Sequence, residues 1–252
     1  MDRWNEKTAV VTGASSGIGA AIVLDLLKAG VNVVGLARRK ERIDALREKI
    51  PANSANGKLY AIKCDLTQES DIKSAFNWIE SNLGGTDILV NNAGIIKTMN
   101  LLDPNNTDNL RESIDTNVLA VVLASREAFQ SMKKRHINGH IIHINSCAGH
   151  KIPYFVGMYP SFNIYPSTKF AVTAMTEVMR QELQNFGTKI KVTSISPGAV
   201  KTEIFKPEIL ELIQNIPFLD PEDVSQAVMY ALATREHVQV HELIIKPIGE
   251  HA

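Results

Sequence analysis

Seven short runs rich in β-branched and aliphatic residues alternate along this chain with longer segments of helical period, and that alternation leaves few folds open. The runs fall at 8–11, 31–36, 59–63, 87–90, 140–144, 190–195 and 238–245. Helices are expected between them at 18–29, 39–50, from a Thr67 cap to Asn82, at 110–135, at 166–185 and from an Asp220 cap to Ala233. Ile22, Val23, Leu26 and Leu27 share one face of the first, and Ile72, Phe76 and Ile79 one face of the third. Gly30 and Gly84–Gly85 stop two of them. Asp220-Pro221-Glu222-Asp223 combines a capping acid, a proline at the first helical position and acids at the positive helix end. Strand–helix–strand order, repeated, implies a parallel sheet covered on both faces by helices, an α/β fold. The 252 residues are 44% hydrophobic, enough for one large core. No linker, low-complexity tract or internal repeat divides them, so residues 1–252 read as a single domain.

The formal net charge is zero, which offers no electrostatic footprint for nucleic acid or an anionic membrane. The polar opening residues do not form a signal peptide, and no apolar run approaches the ~20 residues of a membrane span, so a cytoplasmic location is expected. Cys64 and Cys147 sit in apolar runs and read as free buried thiols. The seven histidines show no zinc spacing. His136 and His140 are four apart, but Gly139 and a strand start separate them, so no metal site is expected.

Thr12-Gly13-Ala14-Ser15-Ser16-Gly17-Ile18-Gly19 joins the first strand to the first helix. Glycines permit a tight turn and let main-chain N–H groups approach phosphate, and the helix start adds positive potential. Ordinary turns also use glycine, but this one follows a strand and opens a helix, the context a dinucleotide site requires. An NAD-preferring site would place an acid near Ala37, at the end of the second strand, to bind the ribose 2′-OH. Arg38 and Arg39 stand there instead. Guanidinium groups suit a 2′-phosphate, so the expected cofactor is NADP, held mainly by Arg38 with Arg39 second. A solvated helix start is the plainer alternative for the pair.

Tyr165 and Lys169 are four apart near a helix start, which stacks both side chains on one face. A free phenol has a pKa of about 10, and a neighbouring ammonium favours the phenolate and is expected to lower it. Tyr165 can then exchange a proton with a substrate oxygen. Ser146 closes the fifth strand, where ligands gather in open α/β sheets, and its hydroxyl can hold that oxygen.

Together these motifs resemble the short-chain dehydrogenase/reductase family over nearly the whole chain. The turn at 12–19, Asn91-Asn92-Ala93-Gly94 after the fourth strand, Ser146, Tyr165 and Lys169 each match a family motif in its expected element. The resemblance implies a Rossmann-type doubly wound sheet of seven strands in the order 3-2-1-4-5-6-7. It implies a catalytic tetrad of Asn117, Ser146, Tyr165 and Lys169, with Lys169 also on the nicotinamide ribose and Asn117 holding a relay water. It makes Gly13, Ser15, Ser16, Gly17, Ile18, Gly19, Asp65, Leu66, Asn91, Ala93 and Gly94 cofactor contacts, with Asp65 at the adenine. Pro197, Gly198, Val200 and Thr202 would hold the nicotinamide carboxamide. The opening Met1-Asp2-Arg3-Trp4, Gly35 to Arg39, Ser125 to Ala128, Ile144 to Ser146 with Gly149-His150, and Ser194 to Gly198 narrow the likeness to insect farnesol dehydrogenases and to vertebrate dehydrogenase/reductase member 11 proteins, which use NADP and act on keto-steroids.

The expected function is oxidoreduction between a hydrophobic alcohol and its aldehyde or ketone, farnesol or another isoprenoid first, a hydroxysteroid second. A silent NADP-sensing protein on the same fold is the reading from another class; the complete tetrad argues against it. The gap of 19 positions from Ser146 to Tyr165 is longer than in most relatives. The stretch 151–164 is therefore expected to reshape the substrate mouth, with Phe155 and Met158 facing it. Ile96, Phe205 and Ile209 complete the expected wall, the last two on an apolar lid at 204–216. Cys147, beside Ser146, is counted with that wall, although packing alone accounts for a buried thiol there. A homodimer or homotetramer built on the helices at 110–135 and 166–185 is implied by resemblance.

Overall fold

A computed structural model describes residues 1–50, 57–152, 162–205 and 216–250. Its seven strands are β1 Thr8–Thr12, β2 Asn32–Ala37, β3 Leu59–Lys63, β4 Ile88–Asn91, β5 His140–Ile144, β6 Lys191–Pro197 and β7 Glu242–Ile245. They form one parallel sheet in the order β3-β2-β1-β4-β5-β6-β7, as the resemblance implied. The main helices are α1 Gly17–Lys28, α2 Lys40–Asp44, α3 Glu69–Leu83, α4 Thr107–Ile114, α5 Ala120–Lys134, α6 Tyr165–Asn185 and α7 Pro221–Ala233.

A parallel sheet buried on both faces needs strands that are apolar on both faces. Val10, Val34, Leu89, Ile141 and Val192 pack on one face against Ile72, Ile79, Ala124 and Met132 of α3 and α5. Ala9, Val11, Val33, Ile88 and Val90, pointing the other way, pack against Ile22, Leu26, Val224 and Val228 of α1 and α7. The period of two along each strand thus divides the core into two layers.

Four expectations need correction. The helix at 110–135 is two helices joined by a π turn, Asp115–Leu119, with Asn117 at its centre. Such wide turns recur at functional sites. Thr67 does not cap α3: its N–H and hydroxyl both bond Asp65 Oδ1, and the helix begins two residues later. The helix at 39–50 is the short α2 followed by a 3-10 turn, Ala45–Lys49. β7 is half the expected length, because Val238 and Val240 give their carbonyls to the side chains of Lys191 and Thr193 rather than to a strand ladder. The Asp220 start is as read, with a reciprocal bond pair to Asp223. Among the described residues no helix is long and apolar enough to cross a membrane.

Candidate active site

The cleft opens at the carboxyl ends of β1, β4, β5 and β6, where an open α/β sheet gathers ligands. Its floor begins with the turn into α1. Gly13 and Gly17 have φ of +65° and +53°, a region side chains rarely enter. A Cβ on Gly13 would lie 2.9 Å from Ala93 Cα, and one on Gly19 would strike the Gly13 carbonyl. The turn therefore packs bare backbone against the end of β4. Thr12 Oγ1 accepts from the N–H groups of Asn92 and Ala93 at 3.0 and 3.1 Å, and Asn92 Nδ2 donates to the Thr12 oxygen at 2.9 Å. Ser16 precedes α1 without a side-chain capping bond, and Ser15 stands half-buried in the turn.

Beyond β2, Arg38 and Arg39 are exposed at the far end of the cleft. Arg38 shares a groove with Lys63 and Asp65, and its Nη1 lies 3.9 Å from Glu112. Arg39 reaches Ser16 Oγ and Glu203, each at 3.4 Å, and Arg42 pairs with Glu203 at 3.0 Å. Leu66 is buried beside Asp65. Asn91 turns its side chain into the core, donating to Ser125 Oγ at 2.9 Å, so only its main chain is left toward the cleft.

At the other end, α6 starts at Tyr165 with Pro166 in its first turn, and Lys169 follows one turn later. Lys169 is buried, its Nζ donates to the Ile144 oxygen at 2.9 Å, and it lies 5.7 Å from the Tyr165 ring centre. Burial pulls its ammonium down to about 8. The ammonium does not lower the phenol as the sequence suggested. Burial pushes Tyr165 up to about 12, opposed by a hydrogen bond with the Ser146 hydroxyl. Lys169 turns its charge to the end of β5, and desolvation decides the phenol. Ser146 Oγ also accepts from the Ala148 N–H at 3.1 Å.

Asn117 bonds through both side-chain atoms: Oδ1 accepts from Ile95 N–H at 2.9 Å, and Nδ2 donates to Ile95 O at 3.0 Å and to Thr168 Oγ1 at 3.1 Å. Thr168 in turn donates to the main-chain oxygen of Tyr165 at 2.7 Å. Both amide hydrogens are spent on protein, so the side chain has no donor left for the implied relay water. It clasps the segment after β4 to the start of α6.

The segment after β6 closes the site. Gly198 N–H donates to Ile245 O at 2.8 Å, and Ala199 and Lys201 exchange bonds with Leu219. One pocket gathers Ile18, Gly94, Ile96, Ser146, Cys147, Tyr165, Lys169, Pro197, Gly198, Val200, Thr202 and Phe205. Phe155, Met158 and Ile209 lie outside the described residues. Burial raises the Cys147 thiol, which keeps it protonated and suits a wall residue. Phe162, in the 151–164 stretch expected at the substrate mouth, stands in the pocket wall, as does Glu250, 48 positions after Thr202, which the sequence reading missed. No pattern in the sequence marked Glu250. Among the described residues no three His, Cys, Asp or Glu side chains come close enough to share a metal ion.

Residues 7–211 match the family model described as short chain dehydrogenase. The chain is 57% identical over 250 residues to a farnesol dehydrogenase of Aedes aegypti, covering 99% of both chains. It is 42% identical to the dehydrogenase/reductase SDR family member 11 of Homo sapiens, covering 98% of this chain and 96% of that one. Among solved structures, the closed form of a serine dehydrogenase complexed with NADP+ superimposes with a TM-score of 0.84 at 30% identity, covering 97% of this chain and 96% of that one.

Proposed function

Since the chain belongs to the short-chain dehydrogenase family, a family of alcohol and carbonyl oxidoreductases using a nicotinamide cofactor, we propose that it interconverts a hydrophobic alcohol, farnesol or a related isoprenoid, with its carbonyl form using NADP(H). The observation that carries this reading is the pocket itself: Ile96, Ile144, Phe162, Ile204 and Phe205 enclose a space that ends on Ser146 and Tyr165. Such a wall favours a long apolar chain and leaves a charged sugar without partners. The mosquito relative's name points the same way.

The residues present fit the dinucleotide. The side-chain-free turn at Gly13, Gly17 and Gly19 and the uncapped start of α1 suit a pyrophosphate. Asp65 and Leu66 would meet the adenine, Arg38 and Arg39 a 2′-phosphate, and Ala93 and Gly94 the middle of the dinucleotide. Lys169 would bind the nicotinamide ribose, and main-chain groups from Pro197 to Thr202 the carboxamide. When bound, the cofactor supplies or accepts the hydride.

The chain's own groups handle the proton. Tyr165 is fully protonated near neutral pH and donates to the carbonyl oxygen in reduction. Ser146 holds that oxygen, and its hydrogen bond to the phenol favours the phenolate left behind. Asn117 fixes Ile95 and, through Thr168, the main-chain start of α6; a relay water would donate to the second lone pair of its Oδ1 or to a main-chain oxygen of the π turn. The wall at Phe162 and Phe205 keeps water from the reacting carbon. We place the protein in the cytosol as a homodimer or homotetramer meeting through α4, α5 and α6, where α4 exposes Ile114 and α6 exposes Phe170 and Val178.

The test is a screen of purified protein with NADP+ against farnesol, geraniol, retinol and hydroxysteroids. Farnesol is expected to give the highest kcat/KM. A preference for a hydroxysteroid would reassign the substrate, and tight NADPH binding with no turnover of any alcohol or carbonyl would sink the enzyme reading.

A further inference from the structure

We infer that Glu250 is a positioning residue that fixes the nicotinamide-binding segment after β6, an inference that rests on reading this cleft as a dinucleotide site. Its side chain is only 3% exposed, a carboxylate set into a wall that is otherwise largely apolar. Burying a carboxylate is costly unless hydrogen bonds and an opposite charge compensate it. Each of its oxygens has such a partner. Oε2 accepts from the Ala199 N–H at 3.0 Å, and Oε1 lies 3.1 Å from Lys246 Nζ and 3.8 Å from Cys147 Sγ.

These contacts join three separate pieces of the site. Ala199 belongs to the 197–202 segment, Cys147 follows Ser146, and Lys246 follows β7. Gly198 makes room for the join: a Cβ there would strike the Glu250 carboxylate. Without the carboxylate, the Ala199 N–H loses its acceptor and the segment is held only by Ile245 and Leu219. The adenine end, at Arg38 and Asp65, makes none of these contacts. Glu250 should therefore govern one half of the dinucleotide and not the other.

The experiment measures, by calorimetry, the binding of NADPH and of adenosine 2′,5′-bisphosphate, which carries the adenine half alone. Wild type is compared with Glu250→Ala, Glu250→Gln and Gly198→Ala. Glu250→Ala is expected to weaken NADPH about tenfold, the worth of one charge-assisted hydrogen bond, and to leave the bisphosphate unchanged. Gly198→Ala, which displaces the carboxylate, is expected to add nothing in the Glu250→Ala background. If Glu250→Ala does not fold, Glu250→Gln carries the same comparison with a split of about threefold, because it keeps an oxygen for Ala199 and gives up the charge. Unchanged NADPH affinity, an equal loss for both ligands, or additive effects of the two substitutions would overturn the inference. A wild-type protein that binds neither ligand overturns the reading of the cleft instead, and this is seen before any substitution is made.

Discussion

Lys169 holds its ammonium 5.7 Å from the centre of the Tyr165 ring while donating to the main chain of β5, so the two side chains share a site without sharing a hydrogen bond. Burial moves them in opposite senses, the phenol up to about 12 and the ammonium down to about 8. Both are mainly protonated at pH 7, the state that can give a proton to a carbonyl. Tyr165→Phe should therefore lower kcat for carbonyl reduction by about a thousandfold while NADPH binds as before. Steady-state rates beside a fluorescence titration with NADPH check this. A loss of binding equal to the loss of rate would mean the ring is structural.

The pH profile follows from Lys169. Reduction should decline as pH rises through about 8, where Lys169 loses its charge and one of the three donors with which it would hold the nicotinamide ribose. Lys169→Arg, charged throughout this range, should retain a reduced rate and lose that limb. A limb near 8 that survives in Lys169→Arg belongs to another group.

Cofactor choice should turn on Arg38. Arg38→Asp replaces a cation suited to a 2′-phosphate with an anion that repels it, and the ratio of kcat/KM with NADP to that with NAD is expected to fall about a hundredfold. Glu203→Gln should move affinity the other way by about two- to threefold at low salt, since it frees Arg39 and Arg42 from an exposed pair. A ratio unmoved by Arg38→Asp would leave the two arginines as a solvated helix start.

Two buried histidines should set the acid limit. His140 bonds Thr193 at 2.8 Å and His143 bonds Thr176 at 2.9 Å, and burial pulls each down to about 3. The unfolded chain binds their protons near pH 6.5 and the folded chain does not. Stability is therefore lost as pH falls from about 6.5 towards 3, with a slope reaching about 3 kcal/mol per pH unit from the two together. Urea unfolding between pH 7 and 4.5 measures that slope, and His140→Gln should halve it. An unchanged slope in both His140→Gln and His143→Gln would exclude them as its source.

Much of this site could be read before any coordinates, because its parts obey local rules. Val10 and Val11 point to opposite layers, as any strand requires, and the glycines of the first turn are needed where they stand. Tyr165 and Lys169 lie one helical turn apart by spacing alone. What stayed hidden depends on contacts between distant segments. The π turn at Asn117 answers to Ile95 and Thr168, neither of which is its neighbour in sequence. The phenol is governed by desolvation, which a motif does not display. Thr67 has the right chemistry for a cap, but Asp65 takes its hydrogen bonds first. Glu250 gives no pattern at all, being one acid in a polar tail until β7 brings it under Gly198.

The order of the strands has a practical outcome. Arg38, at the end of β2, and Ser146, at the end of β5, are separated by β1 and β4, whose tips are sewn together through Thr12 and Asn92. On the proposed function, phosphate preference and carbonyl chemistry would thus occupy opposite wings of one sheet. Each can drift under selection, or be redesigned, without retuning the other.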